Sequence, residues 1–196
     1  MFNVAIKQYK LIENSNHLSF DSQFIPNHNC GKSNVGRNKY YRNKNGIKLF
    51  TLVNNKGIPL FNGIKSGNKY DSKCLSEYLD KFSTLLHSKE KSKSKKDKLN
   101  FLADAGFCSN HNRTKLKDLG FRVLIDHNKR NTKDLKKLKN NKFNIYDKKI
   151  YKKRLIVENF YSWKNNIIPR TARIYDKKNR KLFVPNFNSF NFFDKK

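Results

Sequence analysis

Three carboxylates lie inside apolar runs of the sequence, where an acidic side chain is costly unless it is paired or hydrogen-bonded. They are Asp21 in LSFDSQF, Asp104 in NFLADAGF and Glu158 in LIVENFY, among fifteen acidic residues in total. Most of the others lie among lysines or asparagines and need no role beyond solubility. A fourth case, Asp126 in VLIDHN, ends a strand-like run, and we interpret it as a turn or cap residue.

These three carboxylates can share one site if two lie at strand ends and one lies on a helix across the sheet. Two carboxylates about 5 Å apart repel each other by roughly 3 kcal/mol at an effective dielectric of about 20, so the cluster must hold protons or metal ions. Mg²⁺ and Mn²⁺ prefer oxygen ligands, and a pair of ions serves phosphoryl transfer. The pattern therefore favours a nuclease that uses Asp21, Asp104 and Glu158 as catalytic residues and metal ligands.

The 196-residue chain is strongly basic, with 44 lysines and arginines and a formal net charge of +29. This excess favours a polyanionic partner, usually nucleic acid, although a solvated basic surface and AT-rich codon usage are alternatives. An anionic membrane is not favoured, because we find no amphipathic basic helix and no apolar span. The predicted DNA-binding residues are Arg37, Lys39, Arg42 and Lys44 in the polar loop 28–45, together with Lys164 and the stretch from Lys136 to Lys142.

The cysteines and histidines form no recognisable motif. Three cysteines occur without a CxxC pair and five histidines without ligand spacing, so free thiols in a reducing compartment are expected. A zinc site through Cys108 and His111 is the alternative. MFNVAIKQYK is not a secretory signal, so we expect an intracellular protein of the cytoplasm or nucleoid, or of the nucleus in a eukaryotic host.

The elements that would position the carboxylates alternate between strands and helices along a single predicted domain, 1–196. A strand is predicted at 18–25, a hairpin at 46–67 that turns at Asn54 to Gly57, and further strands at 99–106 and 121–128. Helices are predicted at 71–87, 109–119 and 150–164. Asp71 is interpreted as a helix cap, and the apolar faces are Leu75, Leu79, Phe82 and Leu86 on the first helix and Ile156, Phe160, Trp163 and Ile167 on the last. This order indicates a mixed α/β sheet flanked by helices.

The last helix carries a recognisable pattern. In YKKRLIVE, Tyr151, Arg154 and Glu158 have the spacing of Tyr-x2-Arg-x3-Glu-x6-Lys, but Asn165 stands in the lysine position and Lys164 is one residue early. This motif resembles the third motif of a large group of DDE transposases of bacterial insertion sequences. An alternative interpretation is that Glu158 is merely the partner of Arg154 on an exposed helix.

Two further stretches resemble the same family in the right order. FLADAGFCSNHNRTKLKDLGFRVLI is similar to the family's second acidic motif and points to Asp104. GRNKYYRNKNGIKLFTLVNNKGIPLFNGIKSGNKYDS is similar to the hairpin after the first acid, which points to Asp21. Asp21 as a strand-end cap and Asp104 as a turn residue before Gly106 are the alternatives.

The resemblance covers roughly residues 17–170 and implies an RNase H-like fold. It also implies two divalent ions, Mg²⁺ or Mn²⁺, release of a 3′-hydroxyl at the ends of a mobile element, and strand transfer into target DNA. Arg154 would orient Glu158 or contact a phosphate, and Tyr151 would lie one further turn back on the same helix face.

Both ends of the sequence depart from the family. The segment before Asp21 is too short for the usual DNA-binding region, and the tail VPNFNSFNFFDKK is polar where the family has an apolar helix. We therefore keep two hypotheses. One is a transposase core that acts with a separate N-terminal DNA-binding partner or as a homodimer. The other is a catalytically inactive relic that serves only as a basic DNA-binding protein. A ribosomal or packaging protein would explain the charge but not the placed acids.

Overall fold

The computed structural model describes residues 15–27, 35–86, 98–128 and 143–167. The strands are β1 (His17–Pro26), β2 (Gly36–Asn38), β3 (Lys44–Asn54), β4 (Pro59–Ser66), β5 (Asn100–Ala103) and β6 (Arg122–Ile125). The helices are α1 (Asp71–Leu86), α2 (Asn110–Asp118), α3 (Ile145–Lys152) and α4 (Ile156–Ile167). Short 3₁₀ turns span Lys39–Tyr41, Ala105–Phe107 and Lys153–Leu155.

The strands form one mixed sheet with β1 near its centre. β1 pairs antiparallel with β3 on one side and parallel with β5 on the other, and β6 follows β5 in parallel. The outer edge of β3 pairs with β4 and, at its first residues, with β2. Three antiparallel strands followed by two parallel strands is the arrangement of an RNase H-like fold, and the predicted fold class is confirmed.

Helices cover both faces of this sheet. On one face, α1 and α2 pack on an aromatic core in which the Phe20 ring lies 5.2 Å from that of Phe107 and 6.0 Å from that of Phe50. On the other face, α4 packs against a smaller cluster made of Ile25, Ile47, Leu49, Val53, Val157, Phe160 and Tyr161. Because β3 is covered on both faces, most of its residues are buried in a continuous run and do not alternate between buried and exposed positions.

The predicted hairpin is confirmed, and its turn chemistry explains why. The Asn54 side chain accepts hydrogen bonds from the backbone N–H groups of Lys56 and Ile58, at 3.0 and 2.9 Å. Gly57 has a φ of +77°, a left-handed conformation that glycine adopts without steric cost. The predicted loop 28–45 is partly wrong, because its second half forms β2, a 3₁₀ turn and the start of β3; residues 28–34 lie outside the described residues.

The first two helices also follow their sequence signals. Leu75 and Leu79 of α1 are buried as predicted, whereas the side chains of Phe82 and Leu86 lie outside the described part of the chain. α2 begins where the Ser109 hydroxyl accepts a hydrogen bond from the N–H of Asn112, the ordinary N-cap arrangement. No helix of the described residues is long and apolar enough to cross a membrane.

The last predicted helix is two helices. α3 begins at Ile145, where the Asn144 side chain caps the first turn, and the 3₁₀ turn Lys153–Leu155 separates it from α4. The predicted apolar face of α4 is only partly right, because Phe160 is buried and Ile156 packs against the cluster, whereas Trp163 is 39% exposed and Ile167 is 55% exposed. The buried positions are Val157, Phe160, Tyr161 and Lys164, which share one face at helical spacing.

Candidate active site

The sheet brings Asp21 and Asp104 to adjacent positions. β1 and β5 run parallel, and their last paired residues are Phe20 and Ala103. Asp21 and Asp104 are the residues that follow this last pair along the chain, so the strand register places them side by side although they are far apart in sequence. Asp104 lies just after β5 ends and before the 3₁₀ turn that begins at Ala105.

Arg154 connects Asp104 to Glu158 on α4. Its Nη1 atom donates a hydrogen bond to Glu158 Oε1 at 3.2 Å, and its Nη2 atom lies 3.8 Å from Asp104 Oδ1. Both carboxylates are about half exposed, so these ion pairs contribute little to the stability of the fold. What they do is hold two mutually repelling carboxylates around one guanidinium, next to Asp21.

Tyr161 fixes α4 over the centre of the sheet. Its buried hydroxyl donates to the backbone carbonyl of Asp21 at 2.8 Å and lies 3.2 Å from that of Leu49. Glu158 lies one helical turn before Tyr161 on α4. The contact of Tyr161 with β1 and β3 therefore also fixes the position of the Glu158 backbone. Sequence reasoning missed Tyr161, because a tyrosine on an apolar helix face gives no signal of a specific backbone partner.

Asp21 is the most perturbed of the three carboxylates. Its pKa is raised from 3.8 to about 7, mainly by burial and to a smaller extent by the nearby Asp104 and Glu158, against the lowering effects of the Ser22 N–H and Arg154. The Ser22 N–H donates to Asp21 Oδ1 at 2.7 Å. Burial is therefore the main cause of the raised pKa, and the mutual repulsion expected among clustered carboxylates is a smaller one.

In the side-chain conformations of the structure, the carboxylates of Asp21, Asp104 and Glu158 do not together form a metal site. Among the described residues, no group of three His, Cys, Asp or Glu side chains lies close enough together to hold a metal ion. The donor atoms nevertheless fit, because carboxylate oxygens are the ligands that Mg²⁺ and Mn²⁺ prefer.

Tyr151 supports Arg154 rather than facing the carboxylates directly. The Arg154 guanidinium lies 5.5 Å from the centre of the Tyr151 ring, within the range of a cation–π contact. The same ring packs on Phe143 at 4.9 Å, and burial raises the pKa of Tyr151 to about 12. Tyr151 is therefore a neutral packing partner that restricts where Arg154 can lie.

Lys164 does not lie where a DNA contact needs it. Its side chain is fully buried, and its Nζ atom donates to Gln23 Oε1 at 2.7 Å. Burial lowers the pKa of Lys164 to about 8. The prediction of a phosphate contact fails because Lys164 belongs to the face of α4 that packs on β1. The sequence alone suggested an exposed position, since most lysines lie at the surface.

A second buried lysine was also missed. Lys48 of β3 donates to Asp71 Oδ1 at 2.8 Å and to the Lys69 carbonyl at 2.9 Å, and the Ser22 hydroxyl lies 3.3 Å from Asp71 Oδ1. Asp71 is therefore an ion-pair partner at the start of α1 as well as an acidic residue in its first turn. A lysine inside the apolar run GIKLFTLV was the available signal.

The other predicted DNA-binding residues have the exposure that the prediction requires. Arg37 lies on β2, Lys39 in the following 3₁₀ turn, Arg42 just after it and Lys44 at the start of β3, all exposed. Asp126 follows β6 and accepts a hydrogen bond from the His127 N–H at 2.8 Å, as a turn residue does. The basic stretch from Lys136 to Lys142 lies outside the described residues.

A model of the transposase DDE domain family matches residues 13–183 of the chain. Among solved structures, the catalytic domain of the Mos1 mariner transposase has 11% identity and a TM-score of 0.38, over 82% of this chain and 87% of that chain. The same domain with raltegravir and magnesium gives 13% identity and a TM-score of 0.39, over 81% of this chain and 89% of that chain. No curated protein matches the chain. The structural scores are low, and the match along the sequence is the stronger finding.

Proposed function

Because the chain belongs to the transposase DDE domain family, we propose that Asp21, Asp104 and Glu158 are its three catalytic carboxylates. The chain is the catalytic core of a metal-dependent DNA transposase. The observation that supports this assignment best is the pair of contacts from Arg154 to Asp104 and Glu158, beside the strand register that aligns Asp104 with Asp21.

The same three residues would hold two Mg²⁺ or Mn²⁺ ions, since all their donors are carboxylate oxygens. When bound, such a pair of ions activates the attacking oxygen and stabilises the leaving oxygen at the phosphorus atom. Asp21 has the greatest need of a cation, because its partly buried carboxylate has a pKa raised to about 7 and so holds its proton to a higher pH than an ordinary carboxyl group. A divalent ion would displace that proton and allow all three carboxylates to be ionised together.

Arg154 has two roles in this proposal. Without a cation it neutralises Asp104 and Glu158 and keeps them on the same side of the sheet as Asp21. If divalent ions were held by the carboxylates, the guanidinium would be available to a DNA phosphate, which it matches in geometry. Tyr151 and Phe143 limit its movement in both states.

DNA is the proposed substrate, both as the ends of the element and as the target. The exposed Arg37, Lys39, Arg42 and Lys44 would bind the phosphate backbone, which positions a duplex without reading its sequence. Recognition of particular ends would then need base contacts from elsewhere. A homodimer and a separate N-terminal DNA-binding partner remain predictions for that role.

The test is nicking of a supercoiled plasmid in Mg²⁺ or Mn²⁺. We expect Asp104→Asn and Glu158→Gln to abolish nicking while circular dichroism shows an intact fold. Asp80→Asn is the matched control, because Asp80 is an exposed carboxylate that pairs with Lys115 away from the proposed site. Nicking that survives both Asp104→Asn and Glu158→Gln would refute the assignment.

A further inference from the structure

A surface outside the proposed catalytic site lies at the start of β3, beyond the end of β1. It combines exposed aromatic rings with cations, and we call it the basic–aromatic surface: Arg37, Lys39, Tyr40, Tyr41, Arg42 and Lys44. Tyr40 is 84% exposed and Tyr41 is 51% exposed. No acidic residue occurs between Asp21 and Asp71, so every charge near these two rings along the chain is positive.

The turn that carries the rings is held by specific contacts. The Asn38 side chain accepts a hydrogen bond from the Tyr40 N–H at 3.0 Å, and the Tyr41 ring stacks on Phe24 of β1 at 4.6 Å. Arg42 and Asn43 both have left-handed backbone conformations, with φ of 53° and 56°, which non-glycine residues adopt only at a cost. Tyr41 therefore anchors the turn, while the neighbouring Tyr40 ring projects into solvent.

A second aromatic ring and cation lie on the adjoining turn between β4 and α1. Tyr70 is 72% exposed, and Lys73 Nζ lies 5.9 Å from the centre of its ring. The two turns touch closely, since a Cβ atom added at Gly36 would lie 2.5 Å from the side-chain oxygen of Asn68. The surface therefore continues from β2 across to the start of α1.

Exposed rings among cations suit one class of ligand. The bases of a single strand stack on aromatic side chains for about 1–3 kcal/mol each, while the cations bind its phosphates. A duplex hides the faces of its bases, so cations bind it but an exposed tyrosine gains little from it. The rings therefore favour a single strand, whereas the cations alone would favour neither form.

We propose that Tyr40 stacks on an unpaired base of a DNA strand whose phosphates bind the surrounding cations. From Asp21 to Pro26, β1 extends about 17 Å at 3.3–3.4 Å per residue, and β2 pairs opposite its end. Asn38 pairs with Lys44, two residues past the partner of Pro26, so a strand cut near Asp21 would span about seven stacked nucleotides at 3.4 Å each before it reached the turn that carries Tyr40. This inference depends on the proposed function only in taking DNA as the ligand.

The test compares single-stranded with duplex DNA in EDTA, so that cleavage plays no part. Fluorescence anisotropy would measure the affinity of the full chain for fluorescein-labelled dT20 and for a blunt 20-base-pair duplex, each in 100 mM salt. We expect Tyr40→Ala to lower affinity for dT20 by about 5- to 100-fold and for the duplex less than twofold, and Tyr40→Phe to retain both. Tyr146→Ala, at an exposed tyrosine of α3, is the matched control and should change neither affinity.

Lys39→Ala should weaken both complexes, because it removes a phosphate contact that the two forms share. The proposal is overturned if Tyr40→Ala weakens both complexes equally, if it weakens neither, or if Tyr40→Phe loses as much as Tyr40→Ala. A failure of plasmid nicking would leave these binding results unaffected, so the two proposals fail separately.

Discussion

Asp21 combines burial, two neighbouring carboxylates and a backbone carbonyl that anchors α4. Its importance could be predicted, because an acidic residue inside an apolar run needs a reason to be there. Its carbonyl contact with Tyr161 could not, since any residue type supplies a backbone carbonyl. For Lys164 the residue type was misleading, because a lysine is expected to be exposed to solvent. The packing of α4 near Gln23 shows that the side chain is buried.

The raised pKa of Asp21 predicts a pH dependence of stability. Between pH 3.8 and about 7 the folded chain keeps a proton that the unfolded chain has released. The contribution of Asp21 to the free energy of unfolding is therefore fully present below pH 3.8 and lost as the pH rises to about 7. Asp21→Asn has no carboxyl group to ionise and therefore does not lose this contribution. In EDTA, the free energy of unfolding of the variant relative to the original chain should therefore rise by on the order of 1–3 kcal/mol from pH 4 to pH 8.

Urea denaturation at both pH values would measure the gain, with Asp80→Asn as the exposed control. A stability difference between Asp21→Asn and the original chain that is the same at pH 4 and pH 8 would contradict the raised pKa. Added Mg²⁺ should stabilise the original chain more than Asp21→Asn, because a ligand that binds only the folded state raises its stability.

At the scale of elements, the first two helices and all strands except β2 were predictable, whereas the break before α4 and the buried face of α4 were not. Asparagine and glycine mark the β3–β4 turn, and Ser109 marks the start of α2, so local chemistry decides these boundaries. The face of α4 depends on tertiary packing instead. The predicted and the observed buried face of α4 are offset by about one residue, and both are rich in apolar side chains. The contact of Tyr161 with β1 and β3 determines which of the two faces is buried.

This choice of face predicts unequal effects of two aromatic substitutions. Phe160 is 5% exposed in the cluster beneath α4, so Phe160→Ala should cost about 3–5 kcal/mol of unfolding free energy. Trp163 is 39% exposed, so Trp163→Ala should cost about 1 kcal/mol or less. Urea unfolding followed by circular dichroism is the measurement, because Trp163 is the only tryptophan and its fluorescence is lost in the variant. Equal losses would favour the predicted stripe over the observed face.

At the scale of the whole molecule, the fold explains how residues distant in sequence meet. The family resemblance predicted the RNase H-like arrangement and the order of the three acids. Composition and periodicity alone predicted only a mixed α/β sheet, because they do not specify that β1 pairs with both β3 and β5. That pairing is what aligns Asp21 with Asp104, and α3 and the 3₁₀ turn after it then bring Arg154 and Glu158 to the same place.

The charge of the molecule and its acidic site have complementary functions in this account. A net charge of +29 attracts DNA at long range, which favours fast but unspecific binding. The proposed catalytic carboxylates would then concentrate divalent cations at one point of that basic surface. An inactive relic that only binds DNA would need the positive charge but not the metal site. Metal binding at the three carboxylates therefore distinguishes a catalytic core from such a relic.

The most direct measurement is therefore the binding of Mn²⁺ to the purified chain, followed by electron paramagnetic resonance in the presence of duplex DNA. We expect the original chain and Asp80→Asn to bind two Mn²⁺ ions, and Asp21→Asn, Asp104→Asn and Glu158→Gln each to lose at least one while remaining folded. If all three variants bound Mn²⁺ as the original chain does, Asp21, Asp104 and Glu158 would not be the metal ligands, and the proposed active site would be wrong.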